Sequence, residues 1–156
     1  MSDVGFAHRF RLLHIGLAVA DLESAAEFLT GFLGYEVIRG PFDDPIQRVR
    51  VLFLTASPRG SARLPSSSDE IAQLELVSPL TEDSPIRSML ARSGGGTYHS
   101  CFETTGLESA VEDARAHGCV VVSQPAPAVA FEGRRIAWIY TPTRLLIELL
   151  EAAVDG

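Results

Sequence analysis

The chain has 156 residues, enough for one ordinary domain whose core needs no disulfide staples. A formal net charge of −7 argues against a nucleic-acid partner, and no basic run offsets it. All 13 basic residues are arginine, which removes Schiff-base lysine chemistry and the P-loop lysine together. Cys101 and Cys119 have no metal-like spacing between them and suggest reduced thiols in a cytoplasmic protein. No run is apolar enough for a secretory signal or a membrane span, and the first ten residues read as a short leader arm.

In chain order, Leu12 to Val19 alternates as a strand, and Asp21 offers an N-cap. Leu22, Ala25, Ala26, Leu29 and Leu33 then fall on one helical face before Gly34. Tyr35 to Arg39 and Val49 to Thr55 are β-rich, Pro58 to Ser68 reads as a hairpin loop, and Gln73 to Val77 alternates as a strand. Ser84 and Pro85 predict a capped helix start, and Gly94, Gly95 and Gly96 close that short helix. A strand over Tyr98 to Glu103 and a helix over Leu107 to His117 follow. Strands over Val120 to Ser123, Arg135 to Tyr140 and Leu145 to Leu150 complete the chain. The Pro- and Ala-rich stretch Gln124 to Arg134 reads as a loop at the mouth of a pocket.

The chain repeats itself. The segment from His14 reads HIGLAVADLESAAEFLTGFLG, and that from His99 reads HSCFETTGLESAVEDARAHG. In both, Leu-Glu-Ser-Ala begins eight residues after the histidine. Such a repeat predicts two copies of one supersecondary unit. The expected fold class is α+β: tandem βαβββ modules, about 11–80 and 97–151, joined by the short helix within one domain.

Each copy supplies one histidine and, further on, one strand glutamate: His14 with Glu75, and His99 with Glu148. Strand alternation sets the bulky Ile15, Leu17 and Val19 against the helix and leaves His14 on the other face with Gly16 and Ala18. The same rule separates Glu75 from Leu74 and Leu76, His99 and Cys101 from Phe102, and Glu148 from Ile147 and Leu149. Singly, each has a plain structural explanation; the joint pattern points to a metal site. Imidazoles with carboxylates suit one divalent ion, Co²⁺, Zn²⁺, Ni²⁺, Mn²⁺ or Fe²⁺, with positions left for an oxygen substrate. His8 and His117 stand outside the pattern, the second as a helix-end residue favoured by the dipole.

With these residues in place the chain resembles the vicinal oxygen chelate superfamily (glyoxalase I, bleomycin-binding proteins, extradiol dioxygenases, methylmalonyl-CoA epimerases) over roughly residues 11–151. LLHIGLAVADLESAAEFLTGFLGYEV is similar to its first βαβ, with His14 as first ligand. LELVSPLTEDSPIRSMLARSGGGTYHSCFE resembles the epimerases most, with Glu75 and His99 as ligands, and TPTRLLIELLE matches the last strand with Glu148 as final ligand. Two departures stand out. The turn Tyr140 to Arg144 is shorter than the epimerases' His-Pro-Lys segment, and Val51 occupies the strand position where some carry a further glutamate.

The resemblance implies a metal-dependent epimerase or isomerase that stabilises an enolate beside a thioester or related carbonyl, with Glu148 as proton carrier. Another glyoxalase-like metalloenzyme, a lyase or a different isomerase, is the first alternative. A metal-free small-molecule binding or resistance protein is the second. The expected partner is a small molecule with two chelating oxygens, an acyl-CoA among the candidates. Arg48, Arg50, Arg134, Arg135 and Arg144 are available to its phosphates. Superfamily precedent adds a homodimer.

Overall fold

The structure, a computed structural model, describes residues 9–56 and 72–154. The expected Pro58 to Ser68 loop and His8 lie outside the described residues. The element order is β1 (Phe10–Ala18), α1 (Leu22–Gly31), β2 (Tyr35–Asp44), β3 (Val49–Ala56), β4 (Gln73–Pro79), α2 (Arg87–Ser93) and β5 (Gly96–Thr104). Then come α3 (Leu107–Ala116), β6 (Val120–Pro127), a 3-10 turn (Val129–Phe131), β7 (Arg135–Tyr140) and β8 (Leu146–Glu151). This is βαβββ twice, with α2 between the copies. The chain divides into two compact units, Ile15–Thr97 on one side and Met1–His14 with Tyr98–Gly156 on the other. The division differs from the repeat boundary because the start of β1 goes with the second copy.

In the unit Ile15–Thr97 the strands run in the order β2-β3-β4-β1. β2 pairs antiparallel with β3, and β3 with β4, placing Phe53 opposite Glu75. Helix α1 starts where Asp21 accepts a 2.8 Å hydrogen bond from the Ser24 amide. It ends at Gly31, earlier than Gly34, which instead takes φ +72° in the turn leading to β2. Leu22 packs with Leu52, Leu54 and Leu76 against Leu17, Val19 and Leu29, the face expected from the alternation. α2 begins at Arg87, two residues beyond Pro85, and Ser84 makes no side-chain cap. The Ser84 carbonyl instead accepts from the Arg87 amide in a turn that precedes the helix. Gly94, at φ +76°, closes the helix as expected.

In the other unit the order is β1-β5-β8-β7-β6. β5 and β8 are parallel, while β8 with β7 and β7 with β6 are antiparallel. Leu107, Ala110, Val111 and Ala114 of α3 bury one face against Ala137, Ile139 and Leu149. No side chain caps α3, whose first residue follows Gly106; the His117 ring closes its far end on the Asp113 carbonyl at 2.7 Å. The stretch Gln124 to Arg134 is not all loop. β6 continues to Pro127, and the 3-10 turn follows, burying Phe131. Its pairing with β7 through Ala126↔Ile136 and Pro127↔Arg135 overrides the proline signal, as an edge strand permits.

Candidate metal centre

With α3 covering one face of the second unit, the residues that alternate away from it share the other face. Residues directly opposite on neighbouring strands project to the same side. The register places Glu148 of β8 between Cys101 of β5 and Trp138 of β7. His99 is two residues before Cys101 and so points the same way. His14 comes from β1, the strand next to β5. All three predicted ligands of this unit are buried: His14 is 0% exposed, His99 3% and Glu148 3%.

The three converge. His14 Nε2 lies 3.1 Å from His99 Nε2 and 3.4 Å from Glu148 Oε1. Two imidazoles facing each other through the same nitrogen can share only one proton, whereas both lone pairs can serve one cation. Ligands in neighbouring octahedral positions at about 2.1 Å from an ion are about 3.0 Å apart, close to the spacing between the imidazole nitrogens. The donor set is chemically right for a borderline divalent ion, so these residues fit the expected metal. Ligand atoms of His14, Cys101 and Glu148 also lie within 4.8 Å of one another. Cysteine spacing gave no hint of this, because Cys101 is brought in by its strand partner Glu148 and not by Cys119.

Aromatic rings surround the donors. Phe131 stacks parallel to His14, with centroids 5.9 Å apart. His99 meets Tyr98 at 4.4 Å and Trp138 at 4.9 Å, both edge to face. None of these three rings was singled out by sequence. Phe131 falls in the stretch read as loop, and a tryptophan opposite a strand glutamate becomes informative only once the register is known.

Glu75 belongs to the other unit. It is 5% exposed on β4 and opposes Phe53, on the face that Leu76 leaves free. Of the other polar residues, Glu103 is held by Arg11 and Arg134 at 2.9 Å each, which accounts for it as an ion-paired structural group. The arginines considered for phosphate are mostly engaged by carboxylates: Arg48 by Asp83, Arg50 by Glu23 and Asp43, Arg134 by Glu103, and Arg135 by Glu108 and Glu151. The hydrogen bonds from Arg135 hold both Glu151 and Glu108 below the usual carboxylate range. No helix among the described residues is long and apolar enough to cross a membrane.

Comparison with known proteins supplies the family. The sequence profile of the glyoxalase/bleomycin resistance protein/dioxygenase superfamily matches residues 13–138. An ethylmalonyl-CoA/methylmalonyl-CoA epimerase of Cereibacter sphaeroides is 32% identical over 131 residues, covering 83% of this chain and 87% of that protein. The crystal structure of methylmalonyl-CoA epimerase from Mycobacterium tuberculosis superposes with a TM-score of 0.73 at 28% identity, over 99% of this chain and 94% of that one. A Streptomyces coelicolor methylmalonyl-CoA epimerase variant in complex with 2-nitronate-propionyl-CoA gives 0.72 at 28% identity, over 94% and 99%. The repeated βαβββ architecture is the glyoxalase-like fold of these enzymes, and the chain belongs to the glyoxalase/bleomycin resistance protein/dioxygenase superfamily.

Proposed function

We propose that this protein is a divalent-metal-dependent epimerase that inverts the acidic carbon of a methylmalonyl-CoA-type thioester. The observation that carries the reading is the buried convergence of His14, His99 and Glu148, in a chain that aligns with an epimerase over 83% of its length. A protein that merely sequesters a metabolite has no need of two facing imidazole nitrogens and a carboxylate at this spacing. In this reading His14, His99 and Glu148 would hold the ion, with Glu75 added as a ligand from the sequence resemblance alone. Once bound, the ion supplies Lewis-acid stabilisation of negative charge on the substrate oxygen.

The chain's own residues do the rest. Inverting a carbon next to a thioester requires loss of its proton and return of a proton to the opposite face. Glu148 is the group this reading assigns to proton removal: a carboxylate oxygen takes the α-proton, and the electron pair moves to the thioester oxygen as the enolate forms. Delivery of a solvent-derived proton to the opposite face regenerates the thioester with inverted configuration, and Glu148 gives up its proton to solvent. Tyr98, Phe131 and Trp138 make an apolar surround that limits water around the donors, so that electrostatic interactions there are stronger than in solvent. The protein is expected to act as a cytoplasmic homodimer.

The test is proton NMR of methylmalonyl-CoA in deuterated water with the protein loaded in turn with Co²⁺, Mn²⁺, Ni²⁺ and Zn²⁺. Wild type should erase the α-proton signal, and Glu148→Gln should slow its loss by at least about a hundredfold. No exchange above background with any of these ions, in protein shown to hold them, would sink the proposal.

A further inference from the structure

Trp138 is the only tryptophan in the chain. Its side chain leaves the face that Ala137 and Ile139 pack under α3, and it stands directly opposite Glu148. The indole packs edge to face on His99 with centroids 4.9 Å apart. Its Nε1–H is buried and has no hydrogen-bond partner among the described residues. Buried indole N–H groups nearly always find an acceptor, and leaving one unsatisfied costs free energy that folding alone does not return. An apolar ring would fill the same space without that cost. Donors of this kind in native proteins call for a specific explanation, of which a role in binding is one.

We infer that Trp138 is a substrate-binding residue, whose indole N–H donates a hydrogen bond to an oxygen of the compound bound at the His14, His99 and Glu148 cluster. The inference rests on the proposed function for the identity of that compound, but its chemistry is broader: an anion with neighbouring oxygens. Indole is suited to the task because it donates and never accepts. It therefore favours an oxygen that gains negative charge, such as a carboxylate or a developing enolate, and stays neutral beside Glu148. A phenylalanine at this position would keep the wall and lose the recognition.

Because there is one tryptophan, the ¹⁵N-labelled protein has a single indole N–H cross-peak. The experiment follows that peak in Zn²⁺-loaded protein during titration with oxalate and, separately, with 2-nitronate-propionyl-CoA. Calorimetry of wild type and Trp138→Phe runs in parallel. A downfield shift on saturation, with affinity in the variant weakened roughly tenfold to a hundredfold, is the expected result. A cross-peak that stays in place in a complex detected by heat would overturn the inference, as would variant affinities within about twofold of wild type. Oxalate binding with the shift, but no heat from the nitronate, would sink the acyl-CoA reading and leave Trp138 in its role. Failure of both ligands to bind would overturn both.

Discussion

Phe131 separates packing from site alignment, because it is a core residue and also the flat neighbour of His14. It is 3% exposed, and its ring lies 8° from parallel to the imidazole with centroids 5.9 Å apart. A phenylalanine buries about 200 Å². At about 25 cal/mol per Å² that is about 5 kcal/mol, an upper figure because unfolded chains already bury some of this area. Buried Phe-to-Ala replacements typically cost about 3–5 kcal/mol. Phe131→Ala should therefore lose about 4 kcal/mol, a large part of the roughly 5–15 kcal/mol available to a domain. Phe131→Leu should recover most of that, costing less than about 1.5 kcal/mol, since apolar volume is nearly kept. Leucine offers His14 no flat face, however. With an aromatic contact worth about 0.5–1.5 kcal/mol, Zn²⁺ affinity should fall about two- to tenfold in Phe131→Leu. Urea unfolding followed by Trp138 fluorescence reads the first quantity, and competition with a chromophoric chelator reads the second. A loss below about 1 kcal/mol in Phe131→Ala, or unchanged metal affinity in Phe131→Leu, would refute the reasoning.

Four further outcomes are expected. Zn²⁺ at about a hundred times its dissociation constant should stabilise wild type by about 2.7 kcal/mol in thermal scans, and His14→Ala should abolish the shift. The Arg135 bonds lower the pKa values of Glu151 and Glu108 in the folded state, so their stabilisation is complete above the ordinary carboxylate range and is lost as pH falls through the depressed folded values. Arg135→Met should thus lower the urea midpoint near neutrality and make its decline on acidification shallower than in wild type. Gly95→Ala should cost at least about 1–3 kcal/mol, because the residue has φ +124° and the new Cβ would lie 2.5 Å from the Ala18 carbonyl oxygen. Gly94→Asn, at φ +76° with open space around it, should be tolerated in the same denaturation assay.

Much of the fold is legible because local and long-range signals agree. Asp21 caps the first helix, Gly94 ends the short one, and the alternation about Leu76 and Leu149 sorts the helix-facing sides correctly. Sequence was less informative where tertiary pairing overrides composition. The prolines of Gln124 to Arg134 suggested a loop, yet an edge strand accommodated them through Pro127. Ser84 and Pro85 carried a helix-start signature, but the chain makes a turn there before helix α2 begins at Arg87. At the candidate site, the repeat singled out His14, His99 and Glu148, which the structure brings together, because pseudo-symmetry is written in the sequence. Alternation put Cys101 on the face of His99, but its pairing with Glu148, and the nearness of Phe131 and Trp138, follow from strand register and ring packing across distant segments. The ion pairs that Arg48, Arg134 and Arg135 make were also hidden from sequence, since their carboxylate partners are brought in by the fold.

The most direct measurement starts from one pure diastereomer of methylmalonyl-CoA in deuterated water with metal-loaded wild type, and follows configuration and α-deuterium content together. Inversion accompanied by deuterium at the α-carbon, both lost in Glu148→Gln that still binds metal, is the expected result. Retained configuration and an intact α-proton, in wild type that demonstrably holds its ion and binds the thioester, would contradict enolate chemistry at the His14, His99 and Glu148 cluster.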